Sequence, residues 1–355
     1  AQKLLGRCHG IAGAAMTGAA AYCMSSVTPE FGVLFPLYAI SVAFYMPTIA
    51  LSNSVAFKVL ADNGYDTVKD FPPIRVFGTV GFILAMLFVN FASIPGVKNS
   101  EFMYTYNQFL TSGYIGLAML IFCFTLPNCP CNANPAKEQT LAEKFGLNAF
   151  VLFKDKQMAI FFIFSMLLGA ALQITNAYAT PFISHFQVTS PDSWGANNAN
   201  AIYAVSQVAE TLGILLIPFV MKRFGIKNVM LISMFAWVLR FGLLGAGNPG
   251  AGVWMFILSM IVYGVAFDFF NISGSLYVEK ETAPEIRASA QGVFMIMTNG
   301  FGAFIGSYVA GWVVDKWGWP LSWYIFAGYA LVVTVLFALI FKYKHNPQEN
   351  LNVKN

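Results

Sequence analysis

The chain has 355 residues, 57% of them hydrophobic and only 10% charged, whereas soluble domains carry about 25% charged residues. That composition cannot supply the polar surface of a water-soluble fold of this size, but a lipid bilayer removes the need for one. The net charge of +4 is modest, the basic residues are scattered, and no aromatic-basic stripe is present, which excludes nucleic acid as a partner.

Apolar stretches long enough to cross about 30 Å of hydrocarbon are read in chain order. They fall at 4–24, 31–57, 73–94, 109–126, 158–184, 199–221, 226–246, 251–274, 289–314 and 321–342. Helix is the only state open to them, because an open sheet leaves backbone groups unsatisfied in lipid. The fold class expected is therefore an all-α membrane protein with ten transmembrane helices. The stretch at 109–126 is the shortest and is partly polar.

The segment 127–157 opens Pro127-Asn128-Cys129-Pro130-Cys131 and runs on through charged residues to Lys156. It divides the chain into four helices before it and six after it. The expected organisation is a helical bundle over 1–126, a central cytoplasmic loop over 127–157, a six-helix bundle over 158–345 and a tail over 346–355. Two six-helix halves joined by a long cytoplasmic loop are the plan of many secondary transporters. The chain begins with Ala1 rather than Met, and its first apolar run starts almost at once. The four-plus-six division thus leads to the expectation that the first two of twelve helices are missing from this sequence.

Of the 20 lysines and arginines, all but Lys98, Lys316 and Arg240 fall in one alternating set of connections and ends. By the positive-inside rule both ends of this chain are expected to be cytoplasmic. Gly302 and Gly306 form a small-xxx-small pair followed by Gly311, and Gly10, Gly13 and Gly18 line the first stretch. Such spacing lets helices approach closely, either for plain packing or as a sliding surface between moving halves.

Ionisable residues inside a membrane are costly and point to function. Asp268 lies eleven residues before Glu279, so about 16 Å deep, with Phe267, Phe269, Phe270, Asn271 and Tyr263 close by in sequence. Glu210 lies twelve residues before Lys222, about 18 Å deep, and shares a helix face with Gln207. Gln173 and Asn176 share another face, where two amides serve equally as interhelical glue or as ligand groups. Arg75 follows Pro72-Pro73, a natural helix start, and forms one stripe with Thr79 and Phe82; it is read either as a cytoplasmic anchor or as part of a site. Arg240 is read either as the buried partner of an acid or as a residue that snorkels outward.

Amides and acids suit hydroxyl groups, and aromatic rings suit a flat ligand, so this set fits a small neutral polar solute. No catalytic residues are read. The chain lacks a phosphate-binding Gly-rich loop with lysine, a His-Glu-x-x-His pair and a Gly-x-Ser-x-Gly elbow, so an enzyme is not expected. No cofactor and no metal site is expected either. The three histidines lack ligand spacing, and Cys129 and Cys131 have no histidine nearby.

Three stretches carry a specific resemblance. They are Asp70-Phe71-Pro72-Pro73-Ile74-Arg75; Phe161-Phe162-Ile163-Phe164-Ser165-Met166-Leu167-Leu168-Gly169 with Leu172-Gln173-Ile174-Thr175-Asn176; and Phe267-Asp268-Phe269-Phe270-Asn271-Ile272-Ser273-Gly274-Ser275 with Ile286-Arg287-Ala288-Ser289-Ala290-Gln291-Gly292. Over nearly its whole length the chain resembles the bacterial nucleoside permeases of the nucleoside:proton symporter family, within the major facilitator superfamily. The loop Lys222-Arg223-Phe224-Gly225-Ile226-Lys227 is similar to the basic loop of that superfamily.

The resemblance implies twelve helices in two bundles around a central cavity, in a bacterial cytoplasmic membrane. It implies nucleosides and protons as the partners, beside the lipid bilayer, and sets no oligomeric state. It places substrate-binding residues at Arg75, Thr79, Phe82, Gln173, Asn176, Gln207, Glu210, Tyr263, Phe267 and Asp268. A carboxyl group held away from water favours its neutral form and can accept a proton. Asp268, set among aromatic residues, is expected to be the principal proton-coupling acid, and Glu210 mainly a substrate ligand. An uncoupled sugar or polyol facilitator and a non-transporting membrane sensor are the alternatives.

Overall fold

The structure, a computed structural model, describes residues 18, 30–65, 67–94, 101–102, 105–125, 147–283 and 286–343. Among the described residues every regular element is a helix. The chain divides into two compact units, Ala1–Lys137 and Glu138–Asn355. The boundary falls within the long connection at 127–157, most of which lies outside the described residues.

In the first unit, α1 spans Phe31–Asp62, α2 spans Thr67–Phe91 and α3 spans Asn107–Cys123. α2 begins at Thr67, earlier than the start expected at Pro72-Pro73. Each proline removes one intrahelical donor, but its fixed φ is itself helical, so the preceding turn can stay wound. The first apolar stretch, at 4–24, lies outside the described residues apart from Gly18. That glycine meets the backbone of α3: a Cβ there would lie 3.1 Å from the Gly113 carbonyl oxygen.

The second unit opens with a 3-10 segment, Leu147–Lys154, and then α4, Lys156–His185. Asp155 caps α4 from an extended backbone, its carboxylate accepting the Met158 N–H at 2.8 Å. A short α5, Trp194–Asn197, leads into α6, Ala199–Ala246, and α7, Val253–Glu281. α8, Arg287–Met295, continues through a π-helical stretch, Ile296–Gly302, into α9, Ala303–Ile340.

Among the described residues four continuous helical runs are long and apolar enough to cross a membrane: Lys156–His185, Ala199–Ala246, Val253–Glu281 and Ala290–Ile340. A straight helix of 48 residues, the length of α6, would reach about 72 Å, more than twice the hydrocarbon thickness. It is broken at Gly225, with φ +75°, and α9 is broken at Gly318, with φ +73°. That left-handed conformation is costly for any residue with a Cβ. Gly225 sits in the middle of the basic loop Lys222–Lys227, so the sequence marks the break with both a glycine and a charge cluster.

Small residues set how closely these helices pack. At Gly264 a Cβ would collide with the Ala209 carbonyl and the Glu210 N–H, so α7 lies backbone to backbone on α6 there. α4 meets the π-helical stretch and the start of α9 in the same way, with Gly169 on Thr298 and Gly306 on Ala170. The Gly302–Gly306 pair thus marks a real helix contact. Aromatic residues fill the remaining space: Phe161 lies among Phe270, Phe294 and Tyr277, and Trp323 among Phe182, Phe241 and Phe326.

Candidate functional site

The Gly264–Ala209 contact places the polar residues of α6 and α7. Glu210 follows Ala209 directly, and Asp268 lies one turn beyond Gly264. A Cβ built on Gly213, one turn beyond Ala209, would stand 3.5 Å from Asp268 Oδ2. The two mid-membrane acids are thereby brought to one place, and Glu210 lies within electrostatic reach of Asp268, Tyr203 and Tyr263. Asp268 is only 3% exposed, and among the described residues its Oδ2 has no hydrogen-bond partner. A buried polar oxygen without a partner is costly and marks a place where a proton or a ligand is accepted.

Tyr263, one turn before Phe267, stacks on it with ring centroids 5.8 Å apart and an interplanar angle of 16°. Tyr263 is buried and Phe267 is half-buried, so this aromatic face is only partly covered. Trp237 of α6 packs perpendicular to Tyr263, with ring centroids 6.1 Å apart. Beyond Phe267 a small, partly open pocket is lined by Leu172, Trp237, Phe267, Asn271, Thr298 and Asn299, among others. The π-helical stretch supplies Thr298 and Asn299, and such stretches are frequent at functional sites.

On α4, Asn176 is exposed on the helix surface and Gln173 is half-buried one turn earlier. Asn176 Oδ1 accepts a hydrogen bond from the Tyr203 hydroxyl at 2.9 Å, which links α4 to α6. Gln207 is half-buried, one turn beyond Tyr203 and one turn before Glu210. The structure therefore brings Asn176, Glu210, Tyr263 and Asp268 into one neighbourhood, with Tyr203 between them. Tyr203 escaped the sequence reading, although it stands four residues before Gln207 and seven before Glu210 and so extends their stripe.

Arg240 is fully buried rather than snorkelling outward. Its guanidinium lies over the Tyr263 ring, 4.6 Å from the centroid. Thr79 and Phe82 sit on α2 in the first unit, Thr79 half-buried and Phe82 49% exposed. Arg75 lies on the same helix, and its side chain is outside the described set. Cys129 and Cys131 also lie outside the described residues. Among the described residues no group of three or more histidine, cysteine or acidic side chains could hold a metal ion.

A bundle whose described elements are all helices, four runs of them of membrane-crossing length, with acids, amides and a partly open aromatic stack on neighbouring helices, defines the class as membrane solute carriers. Residues 1–346 match the family described as nucleoside H+ symporter. The chain belongs to the nucleoside H+ symporter family. It is 47% identical to the nucleoside permease NupG of Escherichia coli (strain K12) over 327 residues, covering 90% of this chain and 76% of the relative. It is also 47% identical to the xanthosine permease of the same organism over 337 residues, covering 92% of this chain and 78% of the relative. The crystal structure of nucleoside transporter NupG superposes with a TM-score of 0.84 at 43% identity, covering 96% of this chain and 84% of that chain. A point-mutant form of NupG gives a TM-score of 0.88, also at 43% identity, over 95% of this chain and 84% of that one.

Proposed function

We propose that this protein imports nucleosides together with protons across the bacterial cytoplasmic membrane. Membership of the nucleoside H+ symporter family and likeness to two permeases named for nucleoside substrates support the reading. The single structural observation that carries it is the Tyr263–Phe267 stack standing beside the paired acids Glu210 and Asp268. Stacked aromatic residues suit a flat base, and carboxyl and amide groups suit ribose hydroxyls.

Substrate is bound by Gln173, Asn176, Gln207, Glu210, Tyr263 and Phe267, and the family resemblance adds Arg75, Thr79 and Phe82. Asp268 carries the proton, with Glu210 mainly a ligand to the substrate. Protonation of Asp268 removes the cost of a buried, unpaired charge while the carrier is closed. Release of the proton inside then favours return. Ten spanning helices, four over 1–126 and six over 158–345, are joined by the cytoplasmic loop at 127–157. The tail at 346–355 and both ends of this chain face the cytoplasm. The site is exposed in turn to the two sides of the membrane.

The test is uptake of radiolabelled uridine into proteoliposomes, with and without an imposed pH gradient, acidic outside. Accumulation that needs the gradient and collapses on adding an uncoupler is the result expected. Uridine uptake indifferent to the gradient would replace this reading with an uncoupled facilitator.

A further inference from the structure

Arg240 lies within α6 and is fully buried. A buried guanidinium in a membrane helix is retained only where its contacts offset a large desolvation cost. All its polar contacts reach the helices that bear the site. Nε donates to Thr175 Oγ1 at 3.3 Å, next to Asn176 on α4. Nη1 donates to the Ser259 carbonyl and Nη2 to Met260 Sδ, both on α7 just before Tyr263. The Ser259 hydroxyl donates back to the Arg240 carbonyl at 3.1 Å. The guanidinium itself covers the Tyr263 ring, whose partner is Phe267.

We propose that Arg240 is a positioning residue of the binding site, one that never touches the solute but holds the Tyr263 ring and locks Thr175–Asn176 of α4 to α7. The inference rests on the reading of Tyr263 and Asn176 as nucleoside-binding residues. The planar fork serves two helices and one ring at once, which a lysine cannot do. Trp237, one turn before Arg240, packs perpendicular to the same ring. A nucleoside thus meets an aromatic face already fixed in place and spends little binding energy on ordering it.

The experiment measures concentration-dependent uridine uptake by the full chain in proteoliposomes, for Arg240→Met, Arg240→Lys, Tyr263→Leu and the double variant Arg240→Met/Tyr263→Leu. Arg240→Met should raise KM about tenfold while the maximal rate per folded protein changes less than about twofold. Arg240→Lys should recover part of that loss. In the Tyr263→Leu background the further substitution of Arg240 should raise KM by no more than about threefold, the part carried through Thr175, because contacting residues are not additive. If Arg240→Met does not fold, Thr175→Val removes only the Nε acceptor and should raise KM about threefold. A lowered maximal rate at unchanged KM marks plain structural support and overturns the proposal, as do additive effects of Arg240 and Tyr263. Failure of the unsubstituted chain to bind or transport uridine would instead sink the nucleoside reading, and the proposal with it.

Discussion

The Tyr203 hydroxyl donates to Asn176 Oδ1 at 2.9 Å, tying α6 to α4 two turns before Glu210. The bond occupies only the oxygen of the amide; among the described residues no protein acceptor takes its N–H groups. Tyr203 thereby fixes which way the amide presents itself. Tyr203→Phe keeps the ring and orphans that oxygen, a change expected to cost about 1 kcal/mol. Uridine affinity by calorimetry should fall roughly five-fold, with helical content unchanged. Equal affinity in the two proteins would mean that the bond only holds helices together.

Asn176 itself should matter more. Asn176→Ala removes both the donor and the acceptor, and losing a buried hydrogen bond to a ligand costs about 1–3 kcal/mol. The expected result is a loss of uridine affinity of tenfold or more in a chain that still folds. A variant with lowered thermal stability and unaltered affinity would favour the helix-glue reading of the Gln173–Asn176 pair.

The outline of the fold could be read from composition because membrane helices announce themselves by length and hydropathy. The acids were legible for the same reason: Asp268 and Glu210 stand out against apolar neighbours. The Gly302–Gly306 spacing correctly marked a close contact. What could not be read were relationships across helices. The pairing of Glu210 with Asp268 depends on Gly264 lying on Ala209, two positions 55 apart in number that no periodicity connects. Arg240 had two open readings, and only its contacts with Thr175 and Ser259 distinguish them. The helix start at Thr67 was missed because the proline pair looked like a stronger signal than the turn before it.

The backbone contact at Gly264 gives a test of how tightly the site is set. Gly264→Leu forces a side chain into the Ala209 carbonyl and should separate α6 from α7. Overpacking of this kind costs about 1–3 kcal/mol or more, and uridine binding should be lost along with several degrees of melting temperature in detergent. Gly242, also on α6, has nothing within 4 Å of a built Cβ, so Gly242→Ala should leave melting and binding unchanged or slightly improved. Equal melting temperatures for the two glycine variants would contradict the close approach.

The two acids separate by what surrounds them. Asp268 is 3% exposed with an Oδ2 that is unpartnered among the described residues, whereas Glu210 is half-buried on the face that also carries Tyr203 and Gln207. A carboxylate with no partner gains most from a proton, and one on a polar, open face gains most from a hydroxyl ligand. Asp268→Asn imitates the protonated acid with little change of shape. It should abolish gradient-driven accumulation of uridine and leave exchange in counterflow, because the carrier can still bind, close and reopen without moving a proton. Glu210→Gln should retain coupling and weaken binding. Both readings come from the same vesicles, with pH-driven uptake measured beside counterflow. Full accumulation by Asp268→Asn together with uncoupled exchange by Glu210→Gln would reverse the two roles. Loss of counterflow in Asp268→Asn would place Asp268 among the substrate ligands, because a residue needed only for the proton leaves exchange intact.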